Sequence, residues 1–207
     1  MPFSLQRLYA IIDRAQTEER SPVAIAQALL SAGVRLIQYR DKHGSSRQLF
    51  HIGSEIAEKV RQAHGVFIVN DRADVARAIN AHGVHLGQDD LPVELARRVL
   101  KSDKRVGCST HDLAQVREAE NSSADYVAFG PIFATHSKEN AEPVVGLEGL
   151  RQARAATRKP LVAIGGITVH NARAAIEAGA DCVAVISDLL SAQDIGERAG
   201  EFLRTLE

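Results

Sequence analysis

The sequence predicts an α/β fold in which residues 1–207 form one domain, a (βα)8 TIM barrel. Eight short β-branched runs recur along the chain, and each is followed by a helical pattern. Several runs, such as VFIVN, LVAIG and CVAVIS, are apolar nearly throughout, which is typical of parallel strands covered by helices on both faces. The phrases AGVRLIQ, AHGVHLG and AGADCVAV repeat one unit, in which a small residue and Gly close a helix before the next strand.

A doubly wound open sheet is the alternative architecture, because it is built from the same units. Such a sheet normally carries a glycine-rich loop after an early strand, whereas the first strand here ends in IIDRAQ. Eight units in one chain therefore favour the closed barrel. The predicted strands are Leu8–Asp13, Leu36–Arg40, Val66–Asn70, Gly83–Leu86, Arg105–Ser109, Tyr126–Gly130, Leu161–Gly165 and Cys182–Ser187.

Helical periodicity fills the intervals between these strands. The first helix has the clearest signals, because Ser21 is in position to cap it, Pro22 follows in the first turn and Gly33 comes after its end. The longest helix carries apolar residues from Leu49 to Val60 on one face. The predicted helices are Pro22–Ala32, Ser46–Ala63, Ala73–Asn80, Pro92–Leu100, Asp112–Glu120, Leu147–Thr157, Val169–Ala178 and Ala192–Leu206.

Composition and charge exclude several classes of partner. The formal net charge of -1 provides no strong field to recruit nucleic acid or an anionic membrane. The chain has no apolar stretch near twenty residues and no signal-peptide pattern, so we expect a cytoplasmic protein. Cys108 and Cys182 lie in apolar runs without metal-ligand spacing, and we expect two buried, reduced thiols. The oligomeric state stays open, including a homo-oligomer.

Polar residues follow the predicted strands at the end where barrel enzymes carry their working site. Because strand residues alternate between faces, Gln38, Arg40 and Lys42 share one side of the second strand and its extension. Lys138 supplies a further cation, and Asp71 with one of the pair Asp89 and Asp90 supplies carboxylates on adjacent strands. Magnesium is usually held by one or two carboxylates together with substrate phosphate oxygens. This combination favours a site for Mg2+ and a diphosphate, although ordinary ion pairs are the alternative.

A second anion site is predicted after the seventh and eighth strands, where barrels recurrently bind phosphate. Gly165 and Gly166 precede a helix that we expect to begin near Thr168, so backbone N–H groups can face a ligand. Ser187 ends the neighbouring strand. The alternative is that the two glycines only form a tight turn.

Two of the histidines lie near the predicted mouth, His111 and His136, and their direct roles stay open. His85 lies within a strand and is expected to be a hydrogen-bonded interior group, while Tyr9 and Tyr39 are expected to fill the barrel or its rim. The sequence lacks the H-E-x-x-H, Walker A and G-x-S-x-G patterns.

The segments after the strands resemble the thiamine-phosphate synthase family. The matching segments are IQYRDK, IVNDRAD, GVHLGQDDLP, VGCSTH, GPIFATHSK, AIGGI and VISDL, in the family's order and over nearly the whole chain. The resemblance implies magnesium as cofactor, with Asp71 and Asp90 as its ligands. It implies contacts to hydroxymethylpyrimidine diphosphate from Gln38, Tyr39, Arg40, Asp41, Lys42, Asn70, Ser109 and Lys138. It implies contacts to thiazole phosphate from Thr135, His136, Ser137, Gly166, Ile186 and Ser187.

The activity implied by this resemblance joins the two substrates into thiamine phosphate with release of diphosphate. Arg40, Lys42 and Lys138 would stabilise the departing diphosphate and Ser109 would orient a substrate, so no protein nucleophile is required. One rival is a thiazole tautomerase of the related barrel family, in which His111 or His136 could act as acid and base. Another is a non-catalytic protein that binds thiamine phosphate. The paired carboxylates and the cations favour the synthase, because a tautomerase has no diphosphate to hold.

Overall fold

The computed structural model describes residues 6–100, 103–135 and 143–207 and forms a closed barrel of eight parallel strands in sequence order. The last strand pairs with the first, with Leu8 opposite Val183 and Ala10 opposite Val185, so the sheet has no free edge. The predicted barrel is therefore confirmed, and the open sheet is excluded. The strands are β1 Leu8–Asp13, β2 Leu36–Arg40, β3 Val66–Asn70, β4 Gly83–Leu86, β5 Arg105–Thr110, β6 Tyr126–Phe129, β7 Leu161–Ile164 and β8 Cys182–Val185.

Helices alternate with the strands. The longest begins with a capping box, in which the Ser45 hydroxyl accepts from the backbone N–H of Gln48 and the Gln48 side chain accepts from that of Ser45. Ser21 lies at the N-cap position as predicted, but its side chain makes no capping hydrogen bond. The helices are α1 Pro22–Ser31, α2 Ser46–Gln62, α3 Ala73–Ala78, α4 Val93–Val99, α5 Leu113–Asn121, α6 Gly146–Ala156, α7 Ala172–Glu177, α8 Ser187–Leu190 and α9 Ile195–Leu206.

Strand side chains form two separate cores, because alternate residues face opposite sides of the sheet. The larger core lies between the strands and the helices and contains Cys108. The smaller core fills the barrel and contains Tyr9, Tyr126 and Cys182. Both thiols are free and buried, as predicted, and burial raises the pKa of Cys108 to about 11. The side chains of this smaller core therefore fill the interior of the barrel below the C-terminal ends of the strands.

In the C-terminal half of the barrel, three predicted boundaries are wrong by two or more residues. The strand predicted to reach Ser187 ends at Val185, and Ser187 begins α8 instead. The helix predicted over Val169–Ala178 spans only Ala172–Glu177, and residues 169–171 form a turn before it. The last helix was predicted from Ala192 but starts at Ile195, where Asp194 caps it by accepting from Glu197.

Within the described ranges, no helix combines the length and apolar character that a membrane span requires.

Candidate active site

A cavity of about 1500 Å³ opens at the C-terminal ends of the strands. Single-ligand pockets typically measure about 300–1,000 Å³, so this one has room for two small substrates. Its wall carries many polar and charged side chains and comes from the loops after most strands. Site residues predicted from the sequence that line it are Arg40, Asp41, Lys42, Asp90, Ser109, Thr135, Gly166, Ile186 and Ser187.

Two carboxylates from neighbouring strands meet around one cation at the mouth. The Lys42 ammonium lies 2.5 Å from Asp71 Oδ2 and 3.9 Å from Asp90 Oδ1. Asp90 is held in place by the backbone N–H of Gly87, which donates to its Oδ2 at 2.7 Å. Asp71 has a φ of 62°, a left-handed conformation that Asp tolerates better than most residues and that is often found at functional sites. The turn after β3 therefore aims this carboxylate at the residues that follow β2 and β4.

The proximity of the two carboxyl groups changes how each ionises. Burial, followed by the interaction with Asp90, raises the pKa of Asp71 to about 6. Burial also acts on Asp90, but the interaction with Asp71 and the Gly87 N–H outweigh it and hold the pKa of Asp90 below its usual range. In the absence of other ligands, the pair therefore gains its second negative charge as pH rises through about 6.

Arg40 lines the cavity, and its guanidinium contacts the carboxylate of Asp13. Asp13 was not among the site residues predicted from the sequence. Asp13, at the end of β1, is only 2% exposed and forms an ion pair with Arg40. Its second oxygen accepts from the backbone N–H of Ala15 at 3.2 Å. Asp13 ends a strand and faces inward like Ile11 and Tyr9, so strand alternation could have identified it.

A chain of hydrogen bonds crosses the barrel below the cavity from β2 to β5. Gln38 Nε2 donates to Tyr9 Oη at 2.7 Å, and Tyr9 Oη lies 3.0 Å from Tyr126 Oη. Tyr126 Oη is 3.0 Å from His85 Nδ1, and His85 Nε2 is 2.9 Å from Ser109 Oγ. Two predicted site residues, Gln38 and Ser109, are thereby joined through three interior side chains. The expectation that His85 is a hydrogen-bonded interior group is confirmed.

The side of the cavity formed after β7 and β8 holds three of the six residues expected to contact thiazole phosphate, Gly166, Ile186 and Ser187. Gly166 has a φ of 64°, and a Cβ there would lie 2.4 Å from the Ala134 carbonyl oxygen, so only glycine allows this close approach. The Ser187 hydroxyl donates to the Gln16 side chain at 2.8 Å. The predicted helix start near Thr168 is wrong, since α7 begins at Ala172. The Thr168 N–H donates to Asn171 Oδ1 at 2.8 Å.

The side chains of the three remaining predicted residues, Tyr39, Asp41 and Asn70, have different surroundings. The Tyr39 side chain packs in the outer core, so the strand places it away from the barrel interior. Asp41 lines the cavity, but its Oδ1 accepts from the backbone N–H groups of His43 and Gly44 at 3.2 and 2.7 Å and shapes the loop. Asn70 ends β3 on the same face of the strand as Ile68, which belongs to the core inside the barrel.

His111 lines the cavity in a defined tautomer. Its Nδ1 lies 2.7 Å from the carbonyl oxygen of Gly130, and a carbonyl can only accept, so Nδ1 carries the proton. In this tautomer the neutral imidazole has Nε2 as its acceptor. His136, Ser137 and Lys138 fall outside the described residues, which omit 136–142 of the segment between β6 and α6.

Carboxylate oxygens are ligands that Mg2+ prefers, so Asp71 and Asp90 are the residues that could hold such an ion. The ammonium of Lys42 already occupies a position between Asp71 and Asp90, which indicates that the pair attracts a cation. Among the residues described by the structure, no group of three or more His, Cys, Asp or Glu side chains could hold a metal. An ion at this pair would take its other ligands from phosphate oxygens and water, as Mg2+ commonly does.

The closed barrel, the paired carboxylates and the cations at its mouth define a barrel enzyme of the class that handles phosphorylated small molecules. The family described as thiamine monophosphate synthase matches residues 8–189, and the chain belongs to this family.

Two relatives and one solved structure are similar to this chain over nearly their whole length. The thiamine-phosphate synthase of Koribacter versatilis is 48% identical, over 98% of this chain and 96% of its own. That of Chloroflexus aurantiacus is 44% identical, over 97% and 92%. The structure of a thiamine phosphate pyrophosphorylase from Pyrococcus furiosus superposes with a TM-score of 0.88 at 36% identity and covers 97% of this chain and 95% of its own.

Proposed function

We propose that this protein is a thiamine-phosphate synthase that joins hydroxymethylpyrimidine diphosphate to thiazole phosphate. The observation that carries the proposal is the convergence of Lys42 with Asp71 and Asp90 at the mouth of a cavity large enough for both substrates. The names of the full-length relatives support the same activity.

The proposed reaction is a substitution at the pyrimidine methylene carbon. The bond from this carbon to the diphosphate oxygen breaks first, and the diphosphate leaves with the electron pair while the exocyclic amine of the pyrimidine donates electrons toward the methylene. The thiazole nitrogen then bonds to the carbon. Arg40 and Lys42 stabilise the negative charge that builds on the leaving group, and Lys138 is predicted to do the same. No step requires a covalent bond to the protein.

Magnesium is the proposed cofactor, with Asp71 and Asp90 as its protein ligands. When bound together with the diphosphate, Mg2+ supplies positive charge to the leaving group. Lys42 then has to exchange its contact with the carboxylates for one with the phosphate oxygens, and its 42% exposed side chain leaves it free to move. Arg40, in contrast, stays anchored by the buried carboxylate of Asp13 and offers a fixed donor.

Ser109 and the loops after β6, β7 and β8 are proposed to orient the two substrates. Ser109 lines the floor on the β5 side, where the pyrimidine diphosphate is expected. Thr135, Gly166, Ile186 and Ser187 line the part of the cavity formed after β6, β7 and β8, where thiazole phosphate is expected. We also propose that the enzyme works in the cytoplasm, as its two free, buried thiols favour.

A diphosphate-release assay tests the proposed function. The purified protein is incubated with each substrate alone and with both, with Mg2+ or with a chelator. We expect diphosphate and thiamine phosphate in equal amounts only when both substrates and Mg2+ are present. Isomerisation of a thiazole carboxylate phosphate without diphosphate release would assign the protein to the tautomerases. Tight binding of thiamine phosphate without turnover would make it a binding protein.

A further inference from the structure

We propose that His85, held by Tyr126, fixes the Ser109 hydroxyl as a hydrogen-bond donor to an acceptor atom of the pyrimidine diphosphate. His85, Tyr126 and Tyr9 would then be positioning residues, because they act on the substrate through Ser109. The inference rests on the proposed function for the identity of the substrate. The arrangement of the side chains that carries it is independent of that function.

The chain of hydrogen bonds has a direction that is set at its β2 end. An amide nitrogen can only donate, so Tyr9 Oη accepts from Gln38 Nε2 at 2.7 Å. Burial raises the pKa of both Tyr9 and Tyr126 well above its ordinary value, so each phenol keeps its single proton. The arrangement that satisfies these contacts has Tyr9 donate to Tyr126 across 3.0 Å, and Tyr126 donate to His85 Nδ1 across 3.0 Å.

The imidazole carries this direction to Ser109. When Nδ1 of a neutral histidine accepts, Nε2 holds the proton and donates. Nε2 of His85 lies 2.9 Å from Ser109 Oγ, so the serine oxygen accepts this hydrogen bond. The hydroxyl proton of Ser109 is thereby left for the cavity, which Ser109 lines. A substrate atom with a lone pair and no hydrogen, such as an unprotonated ring nitrogen or a phosphate oxygen, fits this donor.

Packing holds the chain in this arrangement. The Tyr126 ring stacks on the His85 imidazole at a centroid distance of 5.5 Å and meets the Tyr9 ring edge-on at 6.2 Å. Gly107 on the adjacent strand makes the space for this ring, since a Cβ there would lie 2.0 Å from the Tyr126 ring. Both tyrosines are 1% exposed. The hydroxyl groups therefore cannot exchange their partners for water without displacement of the rings, and the donor at Ser109 is preorganised.

Kinetics of Tyr126→Phe test the proposal, because this change removes one hydroxyl and keeps the ring. Without it, His85 Nδ1 loses its donor, the other tautomer becomes accessible and the Ser109 proton can turn inward. We expect kcat/KM for the pyrimidine diphosphate to fall about fivefold to tenfold, as for the loss of one hydrogen bond. The KM for thiazole phosphate should stay within about twofold. Thr110→Val is the matched control, because Thr110 lies on β5 next to Ser109 but on its outer face. Its buried hydroxyl donates to the Ala128 carbonyl at 3.0 Å.

A double-mutant cycle with Ser109→Ala shows whether the effect passes through the serine. We expect Tyr126→Phe to cause no further loss in the Ser109→Ala background, since the donor that it controls is already absent. An equal loss in both backgrounds, or an equal rise of KM for both substrates, would overturn the proposal. If Tyr126→Phe weakens the binding of inorganic diphosphate, the acceptor is a phosphate oxygen. If it weakens only the binding of the pyrimidine alcohol, which lacks the diphosphate, the acceptor is a ring atom.

The tautomer of His85 provides a readout that needs no substrate. In 15N NMR spectra of the labelled protein at pH 8, we expect His85 to be protonated at Nε2 and to show mixed tautomers in Tyr126→Phe. The His85 signals are assigned by their loss in His85→Asn. A wild-type protein with His85 protonated at Nδ1 would refute the proposed direction. Absence of thiamine phosphate formation would refute the proposed function and leave this measurement intact.

Discussion

Removal of the Lys42 side chain should weaken catalysis while it strengthens binding of Mg2+ to the substrate-free protein. In Lys42→Ala, the carboxylates of Asp71 and Asp90 lose the ammonium that lies 2.5 and 3.9 Å from them. Two unit charges about 4 Å apart interact by roughly 4 kcal/mol at an effective dielectric constant of about 20 and by roughly 1 kcal/mol in water. Because the Lys42 side chain is 42% exposed, the lower part of this range applies, about 1–2 kcal/mol. The Kd for Mg2+ should therefore fall about fivefold to thirtyfold.

Turnover should change in the opposite direction, because the same ammonium is proposed to stabilise the departing diphosphate. We expect kcat of Lys42→Ala to fall by about 10²–10³, by analogy with the loss of one oxyanion-hole donor. Mg2+ affinity is measured by displacement of Mn2+ followed by EPR, and turnover is measured by diphosphate release. Lys59→Ala is the control, since Lys59 lies on α2, contacts Gln27 on the exposed surface and changes the net charge equally. Weaker Mg2+ binding in Lys42→Ala would refute the reasoning.

Three further changes test the electrostatics of the fold. Asp71→Asn should raise the melting temperature at pH 8 and not at pH 5. The pKa of Asp71 is raised to about 6, so its ionised form destabilises the folded state as pH rises through that value. Asn tolerates the left-handed φ of 62° at this position. Asp13→Asn should instead lower the unfolding free energy by about 2–4 kcal/mol in urea denaturation, because Arg40 is left beside a buried neutral group; an unchanged midpoint would contradict the buried ion pair. The unfolding free energy should also decline as pH falls below about 6.5, and less so in His82→Gln, since burial lowers the pKa of His82 and its Nδ1 accepts from the Phe67 N–H; equal pH profiles would exclude His82 as the cause.

The barrel could be predicted from the sequence because its strands are buried on both faces. That condition forces continuous apolar runs such as VFIVN, and these runs mark the strands without any knowledge of the tertiary structure. The ends were less accurate where polar residues leave a strand. Ser187 continues the extended pattern of β8 in sequence, yet it begins α8 because Leu189 and Leu190 become buried as a helical turn.

The candidate site was predictable to the extent that it depends on strand ends and on alternation. Their positions along the second strand and its extension predict that Gln38, Arg40 and Lys42 share one face. The position of Asp71 at the end of the next strand predicts that it lies near them. The choice between Asp89 and Asp90 did not follow, because it depends on the turn in which the Gly87 N–H binds one carboxylate. Residues that meet across the barrel also lay beyond sequence reasoning.

The interior chain illustrates this last limit. Tyr9, His85 and Tyr126 come from β1, β4 and β6, which are not neighbours in the sheet. Their hydroxyl and imidazole groups meet only because closure of the barrel brings opposite strands within the reach of large side chains. Alternation predicts that each faces inward, but which groups share a hydrogen bond depends on their heights along the barrel axis.

The metal dependence of two adjacent aspartates tests the central claim most directly. Asp89 and Asp90 follow the same strand and both line the cavity, but only Asp90 is held near Lys42 and Asp71. The Mg2+ concentration for half-maximal diphosphate release should rise by at least about tenfold in Asp90→Asn and stay within about twofold in Asp89→Asn. An equal Mg2+ requirement in both variants, or diphosphate release by the wild-type protein that a chelator does not affect, would contradict a magnesium–diphosphate site at this pair of carboxylates.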